Sequence, residues 1–254
     1  MEDYDLIIVI YACYTITNYR EQIDMLNCTW VKKCSEYKNI KVLYFLGEQK
    51  IDGFVDTETI KYINLPGVSD DYLSATYKQF LGLKYVKENY NAKFIITVGT
   101  DTYLNIPKLL LFVNNFDYND NLYIGGHGCS REICFKNYYF HSGGPGFIIT
   151  RGCLIKLYSI LDNLTNNWIK LCATNNIKYL TTACDVAVSY YLQQPDIDSK
   201  IIKTNNLEFI HCNYRGYPCH INQIQMSNII GCHSMTPTDF INFTNILYRT
   251  NFFI

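Results

Sequence analysis

Short apolar runs alternate along this chain with longer segments of helical spacing, and that alternation confines the fold to helix and sheet stacked in layers. Strands are predicted at residues 6–10, 41–46, 62–65, 94–98, 122–124 and 147–150, most of them closed by glycine or proline. Helices are predicted at 19–34, 74–89, 108–114, 154–161 and 182–191, and Pro107 suits the first turn of the third. No repeat or low-complexity linker divides the chain, so residues 1–254 read as one domain of three-layer α/β class. Within that frame the stretch Val98-Gly99-Thr100-Asp101-Thr102-Tyr103 carries the most information. An acidic residue stands just beyond the carboxyl end of a buried strand, where open α/β sheets receive their ligands. A carboxylate there can hold a divalent cation against phosphate oxygens, although an isolated Asp after a strand is more often a turn former or helix cap.

Composition removes several classes of function. The 254 residues suffice for a substantial core, and 22 basic against 23 acidic residues leave no basic stripe for nucleic acid and no acidic tail. Residues 6–14 are apolar, but they follow Glu2, Asp3 and Asp5, lack a basic flank and are far too short to span a bilayer. With no targeting segment and no membrane span, a soluble, cytoplasmic protein is expected. Eleven cysteines form no paired CxxC knuckle, and scattered buried thiols in a reducing compartment are the expectation.

Four further segments hold candidate chemistry. Lys78 falls at the start of the predicted helix 74–89, against the macrodipole, which either an anionic partner or plain solvent exposure explains. Ser142-Gly143-Gly144-Pro145-Gly146-Phe147 concentrates glycine directly before a strand, as a tight turn or as a loop that approaches a ligand closely. It matches neither the dinucleotide fingerprint nor the P-loop, and Gly125-Gly126-His127-Gly128 also fails the dinucleotide pattern, so an oxidoreductase reading is poor. Asp185 opens an apolar helix, as a cap or as a carboxylate that takes a proton from an attacking hydroxyl. His233 is an ordinary histidine unless the fold carries it to Asp101, where it becomes a metal ligand.

Taken in order, these segments resemble the inverting beta-1,3-glycosyltransferases of the fringe and core 1 galactosyltransferase group. Arg20 with Thr29-Trp30-Val31-Lys32-Lys33-Cys34 is similar to that group's N-terminal helix and its Thr-Trp pair. Asp71-Tyr72 and Thr76-Tyr77-Lys78 resemble its Asp-Ser-Tyr-x-Asn-Leu-Thr-x-Lys loop, and residues 97–106 its Asp-Asp-Asp-Thr-Tyr-Val metal motif. Ser142-Gly143-Gly144-Pro145-Gly146-Phe147-Ile148-Ile149-Thr150 is close to Ser-Gly-Gly-Ala-Gly-Tyr-Val-Leu-Ser, Asp185-Val186 falls on Glu-Asp-Val, and His233 on a late Phe-His. The resemblance implies a GT-A fold, a Rossmann-like α/β/α sandwich with a mixed central sheet. It further implies a UDP-sugar donor, Mn²⁺ or Mg²⁺ as cofactor, and a glycan or glycoprotein acceptor glycosylated with inversion. Carried over, Asp101 and His233 are metal ligands and Asp185 is the general base. Arg20, Lys78, Thr100 and Asp101 contact the donor, and Gly143 and Gly144 form the sugar loop. Two departures stand out: Gly99 and Thr100 replace the first two acids of the metal motif, and Cys184 replaces the Glu of Glu-Asp-Val. They leave open an alternative, a non-catalytic nucleotide-sugar or glycan binding module on the same fold.

Overall fold

The computed structural model describes residues 1–49, 52–126, 128–205, 207–216 and 223–249. Strand β1 (Glu2–Tyr11) turns Leu6, Ile8 and Ile10 to one core and Ile7 and Val9 to the other, the period-2 signature of a strand buried on both faces. Helices α1 (Thr17–Cys28) and α2 (Trp30–Cys34) follow where one helix over 19–34 was predicted. The break is Thr29: its hydroxyl bonds back to the Met25 carbonyl at 2.6 Å and its backbone sits at φ −114°, ψ −111°, outside the helical region. Strands β2 (Ile40–Leu46) and β3 (Ile60–Asn64), helix α3 (Ala75–Asn89) and strand β4 (Tyr90–Val98) come next, each within a few residues of its predicted span.

After β4 the chain forms the two-residue strand β5 (Tyr103–Leu104) and helix α4 (Ile106–Val113). Asn105 caps α4 by accepting from the Lys108 N–H, so the helix opens two residues before the predicted start. Strand β6 (Leu122–Gly125) leads to a hairpin, β7 (Gly128–Ile133) and β8 (Lys136–His141), then to β9 (Phe147–Thr150). Helix α5 (Arg151–Tyr158) begins ahead of its predicted position because the Thr150 hydroxyl caps the Cys153 N–H. The remainder comprises α6 (Leu164–Thr174), α7 (Cys184–Leu192), β10 (Lys200–Lys203), β11 (Phe209–Ile210), α8 (Gln223–Asn228), β12 (Gly231–Cys232) and α9 (Pro237–Arg249).

Seven strands form the central sheet in the order β10-β6-β9-β4-β1-β2-β3. All neighbours pair in parallel except β9, which runs antiparallel to both β4 and β6, so the sheet is mixed. One apolar layer, with α1, α2, α4 and α9, covers one face; α3, α5, α6 and α7 cover the other. A small second sheet, β11-β12-β5, lies beyond the carboxyl end of β4. Its β12–β5 register sets Cys232 opposite Tyr103, and this pairing carries the next residue, His233, back to the Asp101 loop. Ten described cysteines are free thiols, six of them buried as expected; Cys28, Cys129 and Cys134 are instead exposed, and Cys219 lies outside the described residues. Among the described residues no helix is long and apolar enough to cross a membrane.

Candidate active site

A cavity of about 350 Å³ opens beyond the carboxyl ends of β1 and β4, where the topology predicts a ligand. Asp101 comes from the loop after β4, and its carboxylate Oδ2 stands 3.1 Å from Nε2 of His233. The Met235 N–H donates to the Asp101 carbonyl at 3.0 Å and the His233 N–H to the Ile210 carbonyl at 3.0 Å, so backbone bonds hold both residues. Nδ1 of His233 lies 2.9 Å from the His211 carbonyl, which assigns the ring proton to Nδ1 and leaves Nε2 a free lone pair when the ring is neutral. Burial opposes charge on His233, but the adjacent Asp101 carboxylate outweighs it and lifts the imidazole above its ordinary range.

This pair fits a divalent cation. Cis ligands of an octahedral ion, each at about 2.1 Å, stand roughly 3 Å apart, near the separation seen here. A carboxylate oxygen and an imidazole nitrogen are a donor set that Mn²⁺ accepts readily. Among the described residues no cluster of three Cys, His, Asp or Glu side chains forms a self-sufficient cage, so the remaining positions of a bound cation would fall to ligand or water oxygens.

Asp185 enters from the first turn of α7. Its Oδ2 accepts the Gly143 N–H at 3.0 Å and its Oδ1 the Val186 N–H at 2.8 Å. Burial drives its pKa above the ordinary aspartate value, and those backbone donors only partly offset the shift. Gly143 and Gly144 separate Asp185 from His233, and neither position tolerates a side chain without rearrangement. A Cβ on Gly143 would stand 3.1 Å from Asp185 Cβ, and one on Gly144 would stand 2.5 Å from His233 Nδ1. Gly146, at φ +94°, completes the turn and lies where a Cβ would meet Val98. The glycines thus form the tight turn expected of them and bring the backbone close to Asp185 and His233.

Buried polar tethers fix this arrangement. Trp30 Nε1 donates to the Thr102 carbonyl at 3.0 Å, and the Thr102 hydroxyl to the Gly144 carbonyl at 2.6 Å. The fully buried indole of α2 therefore holds the Asp101 loop to the glycine turn. From α3, Thr76 donates to the Thr181 carbonyl and Gln79 to the Cys184 carbonyl, each at 2.9 Å, which locks the approach to Asp185.

The other sequence-derived candidates divide. Thr100 lines the cavity, but its hydroxyl donates to Gln22 of α1. Lys78 borders the cavity while only 1% exposed: its ammonium bonds the Ala12 carbonyl at 2.6 Å, the Asp71 carbonyl at 3.2 Å and Asp70 Oδ1 at 3.3 Å. Its three protons are committed to acceptors of the protein. Arg20 is exposed on α1, its guanidinium over the Tyr14 ring at 5.4 Å, and is absent from the cavity wall. Sequence reasoning passed over Asp70, which binds the N–H groups of Tyr14, Thr15 and Gly47 together with Lys78. It also passed over Tyr11 and Cys13, which line the cavity at and just after the end of β1. The strand-end rule that singled out Asp101 applies equally to β1 and would have found them.

The fold matches solved glycosyltransferases. A crystal structure described as a glycosyltransferase involved in glycosylation of the major capsid of PBCV-1 superposes with TM-score 0.54 at 13% identity, covering 94% of this chain and 99% of that one. By sequence, the chain is 22% identical over 196 residues to the UDP-GalNAc:beta-1,3-N-acetylgalactosaminyltransferase 1 of Sus scrofa, covering 71% of this chain and 53% of that protein. It is 24% identical over 155 residues to the beta-1,3-N-acetylglucosaminyltransferase lunatic fringe of Danio rerio, covering 55% of this chain and 39% of that protein. The chain spans about half the length or less of these curated relatives. The mixed seven-stranded sheet is that of the GT-A glycosyltransferases. Residues 2–207 match the family model described as Fringe-like, and the chain belongs to that family.

Proposed function

We propose that residues 1–254 form one catalytic domain that transfers a hexose or N-acetylhexosamine from a UDP-sugar to a hydroxyl of a glycan or glycoprotein, with inversion and in beta-1,3 linkage. One observation carries this reading: Asp185 and the Asp101–His233 pair face the same cavity from either side of the Gly143–Gly144 turn. An inverting displacement needs a base at the acceptor hydroxyl and charge stabilisation at the departing diphosphate, on opposite sides of the anomeric carbon. Asp185 takes the acceptor proton as the hydroxyl oxygen forms its bond to the anomeric carbon. The bond from that carbon to phosphate oxygen breaks in the same step, and UDP leaves with the electron pair. A divalent cation, Mn²⁺ or Mg²⁺, held by Asp101 and His233, would neutralise charge gathering on the diphosphate. Lys78 and Asp70 brace the end of β1 from below instead of meeting the donor. Arg20 lies outside the wall and contacts a donor only after a rearrangement. We place the reaction in the cytoplasm, where thiols such as Cys13 and Cys184 stay reduced.

The test is UDP release from a panel of UDP-sugars by the purified chain, with Mn²⁺ and with chelator. Release from one donor, suppressed by chelator, is the expected result. UDP binding without release, across donors and with a broad acceptor screen, would replace this reading with that of a binding module.

A further inference from the structure

The wall of the cavity includes a phenol that neither the acid–base role nor the cation pair uses. Tyr11 is the last residue of β1, and its ring lines the cavity. A Cβ on Gly143 would stand 3.4 Å from the Tyr11 hydroxyl and 3.5 Å from Asp185 Oδ2, so the phenol and the carboxylate converge on the same spot. The Tyr11 hydroxyl also lies within electrostatic reach of Asp101. It thus stands beside the carboxylate proposed to face the acceptor, in the cavity that also holds the pair proposed to face the diphosphate. In a transfer reaction the group between those two ends is the sugar being moved.

We propose that the Tyr11 hydroxyl is a sugar-recognition group, donating a hydrogen bond to an oxygen of the transferred sugar, either a hydroxyl or an acetamide carbonyl. The inference rests on the glycosyltransferase reading above. Its chemical basis is the present neighbour of the phenol. Tyr11 interacts with the Cys184 side chain, and a thiol sulfur is a weak acceptor. Beside such a weak acceptor, an entering sugar oxygen gives the phenol a better partner than it has without ligand. Burial and the nearby carboxylates hold the phenol far above its usual pKa, so it remains a neutral donor throughout the working pH range.

The experiment compares calorimetric binding of UDP with that of UDP-N-acetylgalactosamine and UDP-N-acetylglucosamine, in Mn²⁺, for the wild type, Tyr11→Phe and Cys184→Ala. Tyr11→Phe is expected to weaken the preferred UDP-sugar about fivefold, the scale of one neutral hydrogen bond, with UDP held within twofold. Cys184→Ala is expected to keep or increase the preference for UDP-sugar over UDP, because the phenol then lacks even the weak partner without ligand, which separates sugar contact from mere pairing with the thiol. Equal losses for UDP and UDP-sugar in Tyr11→Phe, no loss, or the same selective loss in Cys184→Ala would each overturn the assignment. Should Tyr11→Phe not fold, Tyr11→Leu poses the same question without the ring. If the wild type binds neither UDP nor a UDP-sugar, the glycosyltransferase reading has failed and takes this inference with it.

Discussion

A buried carboxylate whose hydrogen-bond donors are backbone N–H groups is held closer to its neutral form than an ordinary aspartate when burial outweighs them, and Asp185 is such a group. As a base it must be ionised, so the acid limb of the pH–rate profile is expected above the usual aspartate range, and a limb at or below that range would count against Asp185. The same shift has a consequence for stability. Because the folded state holds this proton more tightly than the unfolded state, the group's contribution to stability falls as pH rises through the unfolded and then the folded pKa. Asp185→Asn removes that cost. Asparagine keeps one acceptor oxygen for the Gly143 and Val186 N–H groups, which offsets part of the gain, so urea titrations at neutral pH are expected to show a stability within about 1–2 kcal/mol of the wild type, while transfer drops by about 10²–10⁴-fold. Gly144 is the other sensitive residue. With His233 Nδ1 only 2.5 Å from the position of its missing Cβ, Gly144→Ala must displace the imidazole. A folded protein with Mn²⁺-dependent UDP affinity down at least about tenfold is expected, and unchanged affinity by calorimetry would release His233 from its role.

At the scale of elements, helices α2 and α3 aim the site without supplying its chemistry. Trp30 on α2 holds the Asp101 loop, and Trp30→Phe is expected to cost roughly 1–3 kcal/mol in a denaturant titration, from one lost hydrogen bond and an unfilled space. Asp70 gathers the ends of β1 and β2 around Lys78, a pair whose side chains are 5% and 1% exposed. Burial pushes the Asp70 pKa up, yet the N–H groups of Thr15 and Gly47 and the Lys78 charge outweigh it, leaving the carboxyl below its usual range. Asp70→Ala leaves the ammonium stranded, and a loss of about 3–5 kcal/mol is expected. These elements differ in how far the sequence announces them. Runs such as Ile7 to Ile10 and Phe94 to Val98 declare buried strands because both faces are apolar. The helix break at Thr29 is silent, since it depends on a hydroxyl choosing the Met25 carbonyl. Strands β5, β11 and β12 have two residues each, too few for any period to register, although β12 is what delivers His233. The exposed, charged outer face of the β7–β8 hairpin masks its strand character in the same way.

For the molecule as a whole, Asp101, His233, Asp185 and the two glycines were legible from the order of their motifs, and the fold gathers them around one cavity. Asp70 belongs to no such motif and emerges only from contacts across the chain, whereas Tyr11 follows from the strand-end rule once it is applied to β1. This division bears on the cation. Asp101 and His233 lie 132 residues apart and approach only in the folded chain, so a cation and UDP that bind there stabilise the native state over the unfolded one. At ligand concentrations near 100 times Kd that linkage is about 2.7 kcal/mol, which for a chain of this size raises Tm by roughly 5–10 °C. Mn²⁺ with UDP is expected to produce such a rise in the wild type, and chelator to reduce it sharply. Asp101→Ala and His233→Ala are each expected to melt cooperatively while losing most of the Mn²⁺-dependent part. The two losses should not add, because both remove ligands from one ion. A full rise in both variants would move the cation elsewhere in the cavity, and a rise in the wild type indifferent to chelator would make UDP alone the ligand.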